Sequence, residues 1–222
     1  MTLGGTVNKT GILLILCILT ASVSWNRYFA NPGFGSVGAL MMLGIIAGLV
    51  LALLTVFKKH LSPITAPLYA LSQGFFLGGI SAIFEDQYPG IAIQATGLTF
   101  GTLGCLLLAY KSGLIKPTEN FRLIIFAATG GIALLYLVSF IMSFFGSGIG
   151  FIHSNGLFGI GFSLFVVGIA ALNLVLDFDF IEQTADQGAP KYLEWFGAFS
   201  LMVTLIWLYI EILRLLAKLR SR

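Results

Sequence analysis

The stretch 36–57 reads SVGALMMLGIIAGLVLALLTVF and contains no charged residue. The uncharged run around it extends over 28–57, between Arg27 and Lys58. An α-helix needs about 20 mainly apolar residues to cross the hydrocarbon core of a bilayer, so this stretch reads as a membrane span. The same pattern recurs outward in both directions. No charge occurs between Lys9 and Arg27, Lys59 and Glu85, Asp86 and Lys111, or Arg122 and Asp177. The last gap is too long for one helix. It is broken by Gly146-Ser147-Gly148-Ile149-Gly150 and His153-Ser154-Asn155-Gly156, clusters that mark a turn at a membrane face. Together with the C-terminal apolar run, the gaps predict seven spans, at 10–27, 36–57, 65–84, 90–110, 122–145, 157–180 and 197–217. Backbone polar groups must be satisfied internally in lipid, and the runs lack the alternation of a transmembrane β-barrel. The expected fold is an all-α membrane protein, a seven-transmembrane-helix bundle forming a single multi-pass membrane domain over 1–222.

Composition excludes the soluble classes. Hydrophobic residues make up 58% of the 222 and charged residues 9%, whereas a soluble domain carries roughly 25% charged residues. The mean hydropathy is +0.98. A soluble enzyme, a nucleic-acid-binding domain and a disordered protein are thereby ruled out. Cys17 and Cys105 both lie in apolar runs and are expected to be packing residues, not a disulfide. The N-terminal apolar stretch after Lys9 is expected to be a first span or signal anchor, because further membrane segments follow it.

Basic residues set the expected orientation. If all seven segments cross, the N-terminus and the second, fourth and sixth loops share one side, with Lys9, Lys58, Lys59, Lys111, Lys116, Arg122 and Lys191. The opposite loops hold Arg27 and the acidic Glu85-Asp86 turn. The N-terminus is therefore expected in the cytoplasm. The basic tail (Arg214, Lys218, Arg220 and Arg222) then lies outside, unless the last segment re-enters. GxxxG spacings at Gly44–Gly48, Gly74–Gly78 and Gly97–Gly101 are expected to bring helices of the same chain close together.

Ionisable residues inside spans are costly and face a cavity or the bundle interior. Asp177 ends the sixth apolar run and Glu211 interrupts the seventh. If the sixth helix continues toward Gly188 and Pro190, both carboxyls reach similar depth. Two adjacent carboxyls in a low-dielectric site cannot both ionise cheaply, and so they share a proton. Protonated, the pair is a neutral bridge between two helices. Deprotonated, it is two repelling anions, and a candidate Ca²⁺ site made of oxygen ligands. Asp179, Glu182 and Asp186 share another face and would be solvated or line a cation vestibule. Enzyme readings fit poorly. Gly161-Phe162-Ser163 has only His153 upstream as a base, and Leu164 stands where a rhomboid-type protease has glycine. No Gly-x-Gly-Asp of an aspartyl protease and no Walker loop occurs, every lysine sits at a loop or span end, and His60 and His153 flank spans.

The stretch Ala170-Ala171-Leu172-Asn173-Leu174-Val175-Leu176-Asp177-Phe178-Asp179-Phe180-Ile181-Glu182, with Trp207-Leu208-Tyr209-Ile210-Glu211, resembles the Bax inhibitor-1 (transmembrane Bax inhibitor motif) family in its bacterial branch. Tyr69-Ala70-Leu71-Ser72-Gln73-Gly74-Phe75-Phe76-Leu77-Gly78 and Ala127-Ala128-Thr129-Gly130-Gly131-Ile132 resemble it too. The resemblance implies six helices around a central C-terminal helix. It also implies a pH-sensitive calcium leak sensed by an aspartate pair, which falls on Asp177 and Glu211, with Glu replacing the usual Asp. The expected function is therefore a non-enzymatic Ca²⁺ leak channel of the bacterial inner membrane. Its partners are the lipid bilayer, protons and Ca²⁺ as the transported ion, with no cofactor and no nucleic acid. The alternative is a non-conducting protein that modulates a membrane protease or stress response through membrane-protein partners.

Overall fold

The computed structural model describes residues 1–144 and 156–221. The expected turns at 146–150 and 153–155, His153 and Arg222 lie outside the described residues. Among the described residues there are seven long helices: α1 (Leu3–Ala30), α2 (Phe34–Phe57), α3 (Ser62–Gln87), α4 (Ile91–Lys111), α5 (Glu119–Phe144), α6 (Leu157–Asp186) and α7 (Tyr192–Arg220). A 3₁₀ turn at Lys59–Leu61 precedes α3. All seven are long and apolar enough to cross a membrane; five cover their expected spans, α4 starts at Ile91 and not at 90, and α5 is described to Phe144, one residue short of the expected 145. The ends overshoot the apolar runs because local caps continue the helices. Thr2 caps α1 by accepting from the Gly5 N–H at 3.1 Å. Pro63 sits in the first turn of α3, where its missing N–H costs nothing. Glu85 accepts from the N–H groups of Gly90 (2.5 Å) and Ala92 (3.0 Å), so a carboxylate closes the N-terminus of α4. Gly113 (φ +73°) and Gly188 (φ +64°) take left-handed conformations just past α4 and α6.

The last helix runs unbroken through 29 residues, about 43 Å at 1.5 Å per residue. It is long and apolar enough to cross a membrane, as expected for the seventh segment. It is also the most enclosed helix: 67% of its most apolar window is buried, against 17% for α5.

The chain forms two compact units, Met1–Ala92 with Asp179–Ile206, and Ile93–Phe178 with Trp207–Arg222. In the first, α3 packs against both α1 and α2. Glycines make this possible. A Cβ on Gly44 would meet the Ser72 carbonyl at 2.6 Å, and one on Gly78 would overlap the backbone of Ala21. At one end of this unit the Met1 amine donates to the Ala189 carbonyl, and the Ser62 hydroxyl donates to the Tyr192 carbonyl at 2.7 Å. The start of α1, the start of α3 and the α6–α7 link therefore meet, as loops on one side of a membrane must. The Tyr28 hydroxyl donates to Asp86 at 3.0 Å where the far ends of α1 and α3 come together. In the second unit Arg220 donates to Gln94 at 2.8 Å, which joins the end of α7 to the start of α4.

Two packing expectations are corrected. Gly97 and Gly101 have open space where a Cβ would stand, so that GxxxG does not bring helices together. Cys17 is buried as expected, but Cys105 is exposed. In both cases an apolar surface is equally content against lipid, so spacing permits contact without requiring it. Accordingly, Gly78→Leu should destabilise the protein by about 1–3 kcal/mol through overpacking, while Gly97→Leu should stay within about 0.5 kcal/mol. Thermal unfolding of both variants in detergent would read this difference.

Candidate functional site

Glu211 lies mid-helix on α7 and is 2% exposed. Its Oε1 accepts a hydrogen bond from the Tyr136 hydroxyl of α5 at 2.9 Å and from Arg214 Nη1 at 3.3 Å. Arg214 stands one helical turn further along α7, where an i,i+3 spacing brings side chains together. Its Nη1 also donates to the Tyr136 oxygen at 3.3 Å, and its guanidinium lies 5.6 Å from the Tyr136 ring centroid. The three groups form one network. The phenol and the guanidinium hold one carboxylate oxygen, while Oε2 is buried with no hydrogen-bond partner among the described residues. A carboxylate oxygen in that position is costly to leave without a donor.

Asp177 is on α6, 8% exposed, in the same compact unit as Glu211. The same unit holds an apolar cluster: Ile125, Ile132, Val166 and Ile169 are buried together, with Tyr136, Leu176 and Trp207 packed against them. Next to Asp177, the Phe178 ring lies 5.9 Å from that of Tyr110. One turn below, Asn173 donates to Thr129 on α5 at 2.9 Å. The structure thus puts both expected sensor carboxyls inside one unit. It separates them from the other acids of the run: Asp179 is half-buried and accepts from Gln183 at 2.9 Å, whereas Glu182 and Asp186 are exposed. Among the described residues, no group of three His, Cys, Asp or Glu side chains is assembled to hold a metal ion.

Sequence reading missed Tyr136, whose hydroxyl is the one interhelical donor to Glu211 in the network above. Its only signal was a polar tip in an apolar span. Arg214 was visible as the nearest cation one turn away. Glu194 was also missed: it is 3% exposed, paired with Lys9 and bonded by the Thr2 N–H at 3.0 Å. This pair joins α1 to α7 within the first unit and belongs to packing.

The profile of proteins described as "Bax inhibitor 1 like" matches residues 1–221. The chain belongs to the Bax inhibitor 1-like family. No curated protein and no solved structure matches it. As a member of this family it is a multi-pass helical membrane protein, and its buried Glu211 network sits on the last of the seven helices.

The network predicts a coupling. Arg214→Gln removes the charge beside a buried carboxylate and should cost on the order of 1–3 kcal/mol. Adding Glu211→Gln to it should recover most of that loss. A double-mutant cycle of unfolding free energies in detergent measures the coupling.

Proposed function

We propose that this Bax inhibitor 1-like protein is a pH-sensitive cation leak, with Ca²⁺ as the ion and Asp177 and Glu211 as the gate. The observation that carries the reading is the buried Oε2 of Glu211, which has no hydrogen-bond partner among the described residues and lies in the same unit as buried Asp177. Ionisable groups at membrane depth mark ion or proton pathways. In this reading a proton on the carboxyls makes a neutral, closed contact between α6 and α7. Loss of the proton leaves anions that separate the helices and attract a cation. Arg214 offsets one of the two charges, and Tyr136 fixes the Glu211 carboxylate so that its second oxygen stays available. The exposed Glu182 and Asp186 gather cations at the α6–α7 link. In this reading the side of Lys58, Lys59 and Lys191, with the N-terminus, faces the cytoplasm of a bacterial plasma membrane, and the excess of lysine and arginine in those loops supports it.

The test is Ca²⁺ flux into proteoliposomes between pH 5 and 8. Flux should rise with pH in the parent protein. The Asp177→Asn, Glu211→Gln double variant should carry a flux that no longer changes with pH. Folded parent protein without flux above empty vesicles at any pH would falsify the leak.

A further inference from the structure

Seven residues beyond Glu211, Lys218 is 6% exposed, although lysines near the ends of membrane helices ordinarily extend their ammonium to water. Here the Nζ turns inward. It donates to the Ser163 hydroxyl at 2.8 Å and to the Gly159 carbonyl at 3.1 Å, both in the first turns of α6. Ser163 is itself 2% exposed. These two acceptors are neutral oxygens, a backbone carbonyl and a hydroxyl, the kind of ligand that replaces water around a hard cation. The ammonium donates to both oxygens and so is not placed to take the serine proton.

Polar contacts in this unit follow one another along three helices. Asn173 of α6 meets Thr129 of α5. Tyr136 of α5 and Arg214 of α7 meet Glu211. Lys218 of α7 meets Ser163 of α6. From Thr129 to Tyr136, and from Glu211 to Lys218, the chain advances about 10 Å toward the same end. From Asn173 to Ser163 the antiparallel α6 advances about 15 Å toward that end, and the long Lys218 side chain reaches the Ser163 hydroxyl. A cation leaving Glu211 toward the end of α7 therefore meets the Lys218 ammonium.

The geometry points to Lys218 as an internal cation, seated on the Gly159 and Ser163 oxygens, that shuts this end of the path against permeant cations. This assignment rests on the leak reading and names a specificity-determining residue for it. A fixed positive charge in a low-dielectric passage repels a divalent ion twice as strongly as a monovalent one. Removing it should therefore raise Ca²⁺ flux more than Na⁺ flux.

The experiment compares Ca²⁺ and Na⁺ flux at pH 8 in proteoliposomes of the parent, Lys218→Met, Lys218→Arg and Lys218→Ala. Lys218→Ala is measured with and without millimolar ethylammonium. Lys218→Met should raise Ca²⁺ flux about tenfold and Na⁺ flux less, and Lys218→Arg should keep the parent rate. Ethylammonium should occupy the vacated seat in Lys218→Ala and lower its flux toward that of the parent. Should Lys218→Met fail to fold, Ser163→Ala removes one of the two oxygens and should raise flux about threefold. Parent-like flux in folded Lys218→Met or Ser163→Ala overturns the assignment. A pH-dependent parent flux beside that result leaves the leak reading standing. Absence of Ca²⁺ flux in the parent and in every variant overturns both, and an Ala variant indifferent to ethylammonium overturns the oxygen seat.

Discussion

In hydrocarbon, a backbone N–H or C=O with no partner costs several kcal/mol, so each segment must bond its own backbone. Everything else in this protein follows from that constraint. The chain answers it with seven long helices, and the ends of those helices are closed by groups that need no second chain: Thr2 on α1, Glu85 on α4, and left-handed glycines after α4 and α6. Because lipid tails are as apolar as leucine, burial of hydrophobic surface does not choose the neighbours of a helix. Close approach and polar contacts do.

Both selectors are visible. On α3, glycines admit the backbone of α1 and the residues of α2 too closely for any side chain to intervene. Polar side chains then fix the contacts: Thr55 with Thr65 at 2.7 Å, Lys9 with Glu194, Asn173 with Thr129, and Tyr136 with Glu211. A carboxylate held this way is strongly positioned, since the alternative is a buried charge with nothing to bond. Glu194 and Glu211 lie on the same helix and differ in this respect. Glu194 has donors on both oxygens. Glu211 has donors on one only, and it is the one that carries the functional reading.

Legibility in the sequence tracked physical cause. Spans were legible because charge is expensive at membrane depth, so the gaps between charges mark where helices lie, though not where they end. The carboxyls Asp177 and Glu211 were legible for the same reason, as exceptions to it. The extension of α6 to Asp186 was legible because nothing before Gly188 and Pro190 stops a helix. Helix partners were not. Gly74–Gly78 and Gly97–Gly101 have the same spacing, yet only the first packs closely against a neighbouring helix. Cys17 and Cys105 sit in similar apolar runs, yet only the first is buried.

The sequence by itself determined the number of helices, their approximate extents, the family and the two acids that interrupt the apolar pattern. Each of these depends on the transfer of residues from water to lipid, a property of the residue and its near neighbours along the chain. Tertiary structure decided which hydroxyl reaches Glu211, that Lys218 turns inward onto Ser163 and Gly159, and that Glu194 closes on Lys9. These contacts depend on the rotation and register of helices far apart in sequence. In an apolar solvent, hydropathy is nearly silent on both.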